Sequence, residues 1–258
     1  MPQITNITLL LLTHNEEGRV DTNFKWLKNC PNINEIVVVD DNSTDKTINI
    51  LKKLNSKTCT LKIYSRGLEG DFASQRNFGI TKCTNDWILW LDPDEIPDSL
   101  LIKFLKNFTP DSPIQNYGFI RQDIFLEKPL KHGEAANLKT LRLFNKNYGM
   151  FIGKVHEIWQ SNGRVKTTDL IIYHHSHQNL SDFWQKINLY STIRAQELFQ
   201  SNQKVELFDI IFYPIGKFLN DYFFKLSLLD GTRGMIFSLT MSFYSFLVRA
   251  KLWHLQQQ

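Results

Sequence analysis

Short apolar runs alternate with segments of helical periodicity along the N-terminal part of the chain. The runs that we interpret as buried strands cover residues 7–12, 36–39, 61–64 and 87–91. Between the first two runs, Val20, Phe24 and Leu27 recur at the spacing of one helix face. This alternation predicts an α/β fold in which a mostly parallel sheet is flanked by helices on both faces. In such a sheet, ligands bind beyond the carboxyl ends of the strands.

The pattern changes twice further along the chain. Residues 114–175 predict additional antiparallel strands separated by glycine-containing turns, and this half is expected to form the acceptor side of a cleft. The following segment is helical, and residues 205–229 are strongly apolar, with a narrow polar stripe and a kink expected at Pro214. We therefore predict an α/β domain over residues 1–180 and a helical extension over residues 181–258.

The apolar helices of the extension fit three different environments. No run is long and uninterrupted enough to predict a transmembrane helix. Because the α/β domain can close its core without these helices, we favour helices that lie on a membrane surface. The basic side chains expected to meet lipid phosphates are Lys217, Lys225, Arg233, Arg249 and Lys251. A homodimer interface and a buried intramolecular core remain the alternatives.

Composition narrows the class of protein and its compartment. Of the 258 residues, 42% are hydrophobic, which excludes global disorder, and the net charge of +4 is too small to indicate nucleic-acid binding. The three cysteines, an odd number without metal-ligand spacing, indicate a reducing compartment, and the start Met1-Pro2-Gln3 shows no secretory signal. We expect a cytoplasmic protein that is peripheral on the inner face of the plasma membrane.

An acidic cluster follows the fourth predicted strand. Asp92 and Asp94 flank a single proline, and Glu95 comes next. Hard oxygen ligands of this kind suit Mg²⁺ or Mn²⁺, with a diphosphate completing the coordination shell. The start of a helix is the alternative explanation, because acidic residues and proline are common there.

Polar clusters also follow the first two strands. Asp40 and Asp41 end the second strand at a place where a base or ribose can be bound, although the next residues also suit a helix cap. The loop Thr13-His14-Asn15-Glu16 after the first strand fits a nucleotide cradle, with a polar loop of no specific role as the alternative. The three clusters are expected at one edge of one sheet, and their co-occurrence favours a nucleotide site.

Together these clusters resemble the family 2 glycosyltransferases, which have the GT-A fold. The segments that carry the resemblance are Leu10-Leu11-Leu12-Thr13-His14-Asn15-Glu16, Val39-Asp40-Asp41-Asn42-Ser43-Thr44-Asp45, Gln75-Arg76-Asn77-Phe78-Gly79 and Leu91-Asp92-Pro93-Asp94-Glu95. The resemblance implies an inverting transfer of a sugar from a nucleoside-diphosphate donor, and a divalent cation, Mg²⁺ or Mn²⁺, as cofactor.

The resemblance also implies roles for individual residues. Asp41 would contact the uracil or ribose, Arg76 would lie near the sugar diphosphate, and Asp92 would approach the ribose or the metal. Asp94 would ligate the metal. Arg142 is expected to clamp a donor phosphate, with a surface salt bridge as its alternative. The complete set expected to bind the nucleotide-sugar is Thr13, Asn15, Glu16, Asp40, Asp41, Arg76, Asp92 and Arg142.

A narrower resemblance leads to the branch that includes lipopolysaccharide core glucosyltransferases. It rests on Leu141-Arg142-Leu143-Phe144, Gly153-Lys154-Val155-His156-Glu157, His174-His175-Ser176-His177, Asp230-Gly231 and Gly234. The histidine cluster lacks the ligand spacing of a zinc site, but one of its members can complete a Mg²⁺ or Mn²⁺ shell. Histidines that simply face solvent are the alternative.

An inverting transfer needs a base that removes the proton of the acceptor hydroxyl. Many members of the family use an acidic residue of a Glu-Asp pair, whereas this sequence has His156-Glu157. We therefore expect Glu157 to be the base and His156 to orient it or contact the acceptor. A pair at a strand end without a catalytic role is the alternative.

These observations predict a metal-dependent hexosyltransferase that uses a UDP-linked sugar and a glycolipid or lipopolysaccharide-core acceptor. A polyprenyl-phosphate glycosyltransferase and a non-catalytic nucleotide-binding protein are the alternatives. A dinucleotide oxidoreductase is excluded because the first strand is not followed by a Gly-x-Gly-x-x-Gly turn.

Overall fold

The computed structural model describes residues 4–136, 138–153, 157–175 and 179–258. The chain forms two compact units, one made of residues 1–121 and 139–174 and the other of residues 122–138 and 175–258. The segment 122–138 therefore belongs to the same compact unit as the C-terminal helices. The division into two domains at residue 180 stays a prediction.

The strands alternate with helices in the first unit, as the sequence predicts. The strands are β1 (Ile7–Thr13), β2 (Ile33–Asp40), β3 (Thr60–Ser65), β4 (Trp87–Leu91), β5 (Glu95–Pro97), β6 (Ile114–Phe125), β7 (Lys128–Pro129), β8 (Leu138–Asn145), β9 (Gly149–Ile152), β10 (Ile158–Ser161) and β11 (Arg164–His174). The helices are α1 (Glu17–Asn23), α2 (Thr47–Leu51), α3 (Phe72–Lys82), α4 (Ser99–Lys106), α5 (Leu180–Gln200), α6 (Leu207–Leu219) and α7 (Thr232–Gln256).

The main sheet has the order β3-β2-β1-β4-β8-β6-β11-β5. Its N-terminal half is parallel, since β1 pairs with β2 and β4, and β2 pairs with β3. Antiparallel pairs follow, β4 with β8 and β11 with β5, and β9 and β10 form a separate antiparallel ribbon. The predicted α/β fold is therefore confirmed, although the sheet as a whole is mixed because parallel pairing is shown for β1 to β4. The carboxyl ends of β1, β2 and β4 lie side by side.

Side-chain alternation along the central strands divides the core of this unit into two layers. Leu9 and Val38 lie in one apolar cluster with residues of α1 and α4. Leu10 and Val39 lie in the other cluster, together with Ala73 from α3. Both faces of the sheet are thus covered, which explains why the strands are almost continuously apolar.

Helix α3 approaches the sheet closely because of Gly79. A β-carbon at this position would lie 2.6 Å from Leu10 Cδ1 and 3.0 Å from Val39 Cγ2. Only glycine lets the helix lie at this depth, and the helix in turn carries Arg76 to the carboxyl end of the sheet.

The second unit is largely helical, and both α5 and α6 pack against α7. Phe125 and Leu130, from the segment 122–138, are buried with Phe183 of α5 and Phe237 of α7. The predicted C-terminal helical extension is therefore present. Among the described residues, no helix combines the length and apolar character needed to cross a membrane.

Candidate active site

Acidic and basic side chains near the strand ends of the first unit meet in one continuous network of ion pairs and hydrogen bonds. Asp92 follows β4, Glu95 opens β5 and Glu157 directly precedes β10. Arginines from α3, β8 and β6 connect these carboxylates. In order of contact, the network is Glu157, Arg76, Asp92, Arg142, Glu95, Arg121, His174 and Asp94. It joins the candidate base at one end to a candidate metal ligand at the other.

Arg76 links the candidate base to Asp92. Helix α3 begins with Asp71, whose carboxylate accepts a hydrogen bond from Ser74 N at 2.8 Å, and it carries Arg76 one turn further in, where the side chain is buried. Arg76 Nε donates to Glu157 Oε1 at 2.7 Å, and Arg76 Nη2 lies 3.3 Å from Asp92 Oδ1. Its third nitrogen, Nη1, has no acceptor among the described residues.

Arg142 occupies the other side of Asp92. Its Nη2 lies 3.5 Å from Asp92 Oδ2 and also donates to Glu95 Oε1. The residue is buried, so it is not the surface salt bridge considered as its alternative. Within the described part of the chain, Nε and Nη1 of Arg142 have no acceptor. Two buried guanidiniums therefore share one carboxylate and keep unpaired N–H groups.

The indole of Trp90 contacts both guanidiniums. The central carbon of Arg76 and that of Arg142 each lie 3.9 Å from the centre of the Trp90 ring. The same two arginines contact Asp92, which is two residues further along the chain. Trp90 and Asp92 therefore hold the two cations together at the end of β4.

Burial and neighbouring charges shift the pKa values of Asp92 and Glu95 in opposite directions. Burial by itself would raise the pKa of Asp92, but the Arg76 and Arg142 guanidiniums outweigh it and hold that pKa below its usual value. Burial raises the pKa of Glu95, and the neighbouring Asp92 charge adds to this effect although Arg142 opposes it. The two arginines that contact Asp92 thus favour its charged form, whereas burial disfavours the charged form of Glu95.

Asp94 and His174 form the far end of the network. His174 ends β11, which pairs with β5, and its Nε2 lies 3.4 Å from Asp94 Oδ2 and 2.7 Å from Arg121 Nη2. Burial works against ionisation of Asp94, but the His174 hydrogen bond and charge, with Arg19 and Arg121, lower its pKa well below the usual range. The structure thus brings a histidine of the predicted cluster to the predicted metal ligand; His177 lies outside the described residues.

The predicted nucleotide residues lie where β1 and β2 end. Asp40 is buried and accepts hydrogen bonds from Thr13 Oγ1 at 2.8 Å and from Ser43 Oγ at 2.6 Å, so it ties the two strand ends together. Asp41 Oδ1 accepts from Leu68 N at 2.8 Å, and its side chain remains 30% exposed.

The loop after β1 is held against the loop after β2. Asn15 adopts a backbone φ of 53°, a conformation that asparagine tolerates, and its Oδ1 accepts from Thr44 N at 2.9 Å. Glu16 pairs with Arg19 at 2.7 Å, and its backbone N–H donates to Thr47 Oγ1 at 2.7 Å. Asn23 of α1 also donates from Nδ2 to Pro93 O at 2.8 Å, so the two halves of the site are close to each other.

Two residues of the site, Trp90 and Arg121, were not predicted from the sequence. Trp90 has the pattern of an ordinary apolar residue in a buried strand, but its position two residues before Asp92 was a signal that it lies close to the site. Arg121 gave no signal, since nothing local marks the middle of β6. His156, the predicted companion of Glu157, lies outside the described residues.

Known structures share this fold. The chain superposes on the mannosyltransferase PcManGT from Pyrobaculum calidifontis, solved with GDP-Man and Mn²⁺, with a TM-score of 0.58 and 13% identity over 98% of this chain and 89% of that one. For S. aureus TarS 1-349 in complex with UDP, the TM-score is 0.50 at 15% identity, with 98% and 92% covered. The fold is that of a GT-A-type glycosyltransferase.

Sequence comparison identifies the family. The model of Glycosyl transferase family 2 matches residues 8–196, and the chain belongs to this family of enzymes. The chain is 27% identical over 259 residues to an uncharacterised glycosyltransferase of Rickettsia typhi, covering 95% of this chain and 86% of that protein. It is 26% identical over 253 residues to the lipopolysaccharide core biosynthesis glycosyltransferase LpsC of Rhizobium meliloti, covering 96% and 92%. The resemblance seen in the sequence is thereby confirmed.

Proposed function

We propose that this glycosyltransferase is an inverting enzyme that moves a hexose from a UDP-linked donor to a glycolipid acceptor of the lipopolysaccharide-core type. The observation that carries the proposal is the ion-pair network from Glu157 to Asp94. It gathers anion-binding groups, cation-binding groups and a candidate base at the carboxyl edge of one sheet, where α/β folds bind their ligands. The relative named for lipopolysaccharide core biosynthesis supports the acceptor class.

The nucleotide half of the donor would occupy the ends of β1 and β2. Asp41 has a partly exposed carboxylate there that suits the uracil or the ribose, and Thr13, Asn15, Glu16 and Asp40 shape the surrounding loops. The UDP bound to S. aureus TarS supports a uridine nucleotide.

The diphosphate would be held by Arg76 and Arg142. Both are buried and keep N–H groups without acceptors among the described residues. Leaving such donors unpaired is costly, and phosphate oxygens are strong acceptors for guanidinium groups. A diphosphate beside Asp92 would satisfy these donors.

The chemistry of the donor groups fits a divalent cation. Asp92 and Asp94 supply carboxylate oxygens, which Mg²⁺ and Mn²⁺ accept. His174 Nε2, 3.4 Å from Asp94 Oδ2, would join them in place of its contact with Arg121 Nη2. Among the residues described, no three histidine, cysteine or acidic side chains are spaced to form a complete metal site. The shell that we propose includes oxygens of the donor diphosphate. The cation, when bound, supplies positive charge that stabilises the leaving diphosphate.

Glu157 would accept the proton of the acceptor hydroxyl. Its carboxylate is only 12% exposed and is oriented by Arg76 Nε at 2.7 Å, while Arg76 also contacts Asp92. This connection sets the candidate base at a fixed place relative to the proposed diphosphate site. Such fixed placement is what general-base catalysis requires.

The experiment that tests the donor site is a calorimetric titration of the protein with UDP, with and without Mn²⁺. We expect binding that is strengthened by Mn²⁺, and Asp94→Ala should abolish the Mn²⁺ effect. Asp86→Ala is the matched control, because Asp86 is an exposed aspartate at the opposite end of β4. Equal Mn²⁺ dependence in Asp94→Ala and in the wild type would refute the ligand assignment.

The experiment that tests the base is transfer from UDP-sugars to lipopolysaccharide-core acceptors by the variant Glu157→Gln. The glutamine keeps an oxygen for Arg76 but cannot hold the transferred proton. We expect UDP affinity to be unchanged and transfer to fall by about 10²–10⁴-fold, the usual contribution of a general base. Transfer within a few-fold of the wild type would remove Glu157 from this role.

A further inference from the structure

The turn between α6 and α7 exposes a high density of large apolar side chains. Of the residues 223–229, which we call the apolar tip, five such side chains are more than one third exposed, and Phe224 is 81% exposed. They are Phe223, Phe224, Leu226, Leu228 and Leu229. Contiguous apolar surface of this kind usually marks a place where a protein or a membrane binds.

The exposed face of α6 continues this apolar surface. Six of its exposed apolar residues recur at helical spacing, and we call them the α6 stripe: Leu207, Phe208, Ile211, Phe212, Ile215 and Leu219. The charged side chains of the helix are engaged elsewhere. Asp209 accepts a hydrogen bond from Glu206 N at 2.8 Å, and Lys217 pairs with Glu134. The stripe therefore presents no charge over the length of the helix.

The tip is anchored at both ends by carboxylates. Asp221 is fully buried and accepts a hydrogen bond from Glu134 N at 2.6 Å. Asp230 accepts one from His132 N at 2.8 Å and faces His132 Nδ1 at 3.1 Å. The exposed apolar side chains are thus presented by a backbone that the fold holds in place.

Positive charge borders the tip. Lys225 lies within it and is exposed, and its carbonyl accepts a hydrogen bond from Gly133 N at 2.9 Å. Lys131, also exposed, is held nearby because its backbone N–H donates to Asp230 Oδ2 at 3.0 Å. The two carboxylates of the turn, Asp221 and Asp230, are engaged by the contacts already described. An apolar surface bordered by lysines is complementary to an anionic phospholipid interface.

Four of the five basic residues that the sequence suggested for lipid contact have partners inside this unit. Lys217 pairs with Glu134, and Arg233 Nε donates to Leu126 O at 3.0 Å. The Arg249 guanidinium lies 3.8 Å from the centre of the Tyr213 ring, and Lys251 Nζ donates to Asn188 O at 2.8 Å. The fifth, Lys225, lies in the apolar tip and is exposed.

We propose that the apolar tip and the α6 stripe insert into the interface of a bilayer that contains anionic phospholipids, with Lys225 on the lipid phosphates. Helix α6 has 13 residues and, at ~1.5 Å per residue, is too short for the ~30 Å hydrocarbon core of a bilayer, so it would lie along the interface. This inference deepens the proposed function, on which it rests for the membrane as the surface that carries the glycolipid acceptor.

A second copy of the chain is the competing occupant, and charge argues against it. In a two-fold symmetric contact through the tip, the same patch meets itself. Each copy would then bring Lys225 to a patch of the same charge, while Asp221 and Asp230 are already engaged. Lipid phosphates supply the missing negative charge without this conflict.

The test is flotation of the full chain with vesicles of phosphatidylcholine alone and of phosphatidylcholine mixed with phosphatidylglycerol. We expect binding to the mixed vesicles that weakens with added salt. The double variant Phe224→Ser/Leu229→Ser should reduce this binding by about tenfold or more, equivalent to ~1.4 kcal/mol. Lys225→Gln should weaken binding to the mixed vesicles alone, and Leu100→Ser, a control at an exposed leucine of α4, should leave it unchanged.

Three results would overturn the proposal. One is equal vesicle binding by the double variant and the wild type, and another is equal binding of the wild type to neutral and anionic vesicles. The third is a dimer, seen by light scattering, that the double variant dissociates while no vesicle binding occurs. UDP titration of the double variant without lipid separates this proposal from the proposed function: retained UDP affinity with lost vesicle binding supports the tip, whatever the enzyme transfers.

Discussion

The stacking of Arg76 and Arg142 on Trp90 makes a quantitative prediction about the donor site. In Trp90→Leu both guanidiniums lose the aromatic face that lies 3.9 Å from each. Cation–π contacts contribute about 1–2 kcal/mol each where they are shielded from water, so the loss amounts to about 2–4 kcal/mol of unfolding free energy. Trp90 Nε1 has no hydrogen-bond partner among the described residues, and the substitution therefore leaves no new polar group unpaired.

The loss of the indole should also weaken the binding of UDP. Without the indole, the two arginines are no longer held together beside Asp92, and we expect UDP affinity to fall by about tenfold, or ~1.4 kcal/mol. Trp90→Phe keeps an aromatic face and should recover most of this affinity. Urea unfolding followed by circular dichroism measures the stability, and calorimetric titration with UDP measures the binding.

Trp87→Leu is the matched control for this experiment. Trp87 is a buried tryptophan of the same strand, but its ring packs on Phe108 and Tyr117 and not on an arginine. Its replacement should reduce stability and leave the UDP affinity of the folded protein unchanged. The reasoning is refuted if Trp90→Leu binds UDP as tightly as Trp87→Leu, or if Trp90→Phe loses as much affinity as Trp90→Leu.

Two further predictions concern stability and accessibility. Burial opposes the charge of Glu35, but the hydrogen bond from Lys62 at 2.6 Å and neighbouring donors lower the pKa of Glu35. The pair therefore stabilises the fold fully above the unfolded-state pKa of ~4.3, and this stabilisation is lost as the pH falls through the folded-state pKa. Glu35→Gln should therefore cost about 2 kcal/mol at neutral pH, with a difference from the wild type that narrows in urea titrations below pH ~4; a constant difference would contradict this origin. Burial raises the pKa of Cys30 to about 11 and that of Cys83 to about 12. In a thiol titration with Ellman's reagent we expect Cys59 to react in the native protein and the other two only after unfolding, and rapid release of three equivalents would contradict the buried positions.

The sequence was sufficient to predict the sheet and the place of the site. Alternation of apolar runs and helical segments is a local signal, and it predicts the strands β1, β2 and β4, whose carboxyl ends carry Thr13, Asp40 and Asp92. Once such strands are parallel and adjacent, their ends must share one edge. For this reason the predicted nucleotide and metal residues of the first unit fall in one region without any knowledge of side-chain contacts.

The contacts between those residues were decided by the tertiary structure alone. Arg76 meets Glu157 across 81 residues of sequence, and Arg121 meets His174 across 53. Such pairs depend on the depth at which α3 packs and on the pairing of β6 with β11, and neither leaves a periodic trace in the sequence.

Trp90 and Phe224 of the apolar tip show the same limit of prediction from sequence. Trp90 has the pattern of an ordinary core residue, and its role follows only from the two arginines that β8 and α3 bring to it. The apolar pattern around Phe224 fitted a membrane surface, a dimer interface or a buried core, and only the packing of α6 on α7 shows that Phe224 is exposed in the folded chain. Periodicity determines which side of a strand or helix a residue occupies, whereas the partner on that side, or its absence, depends on distant segments that meet when the chain folds.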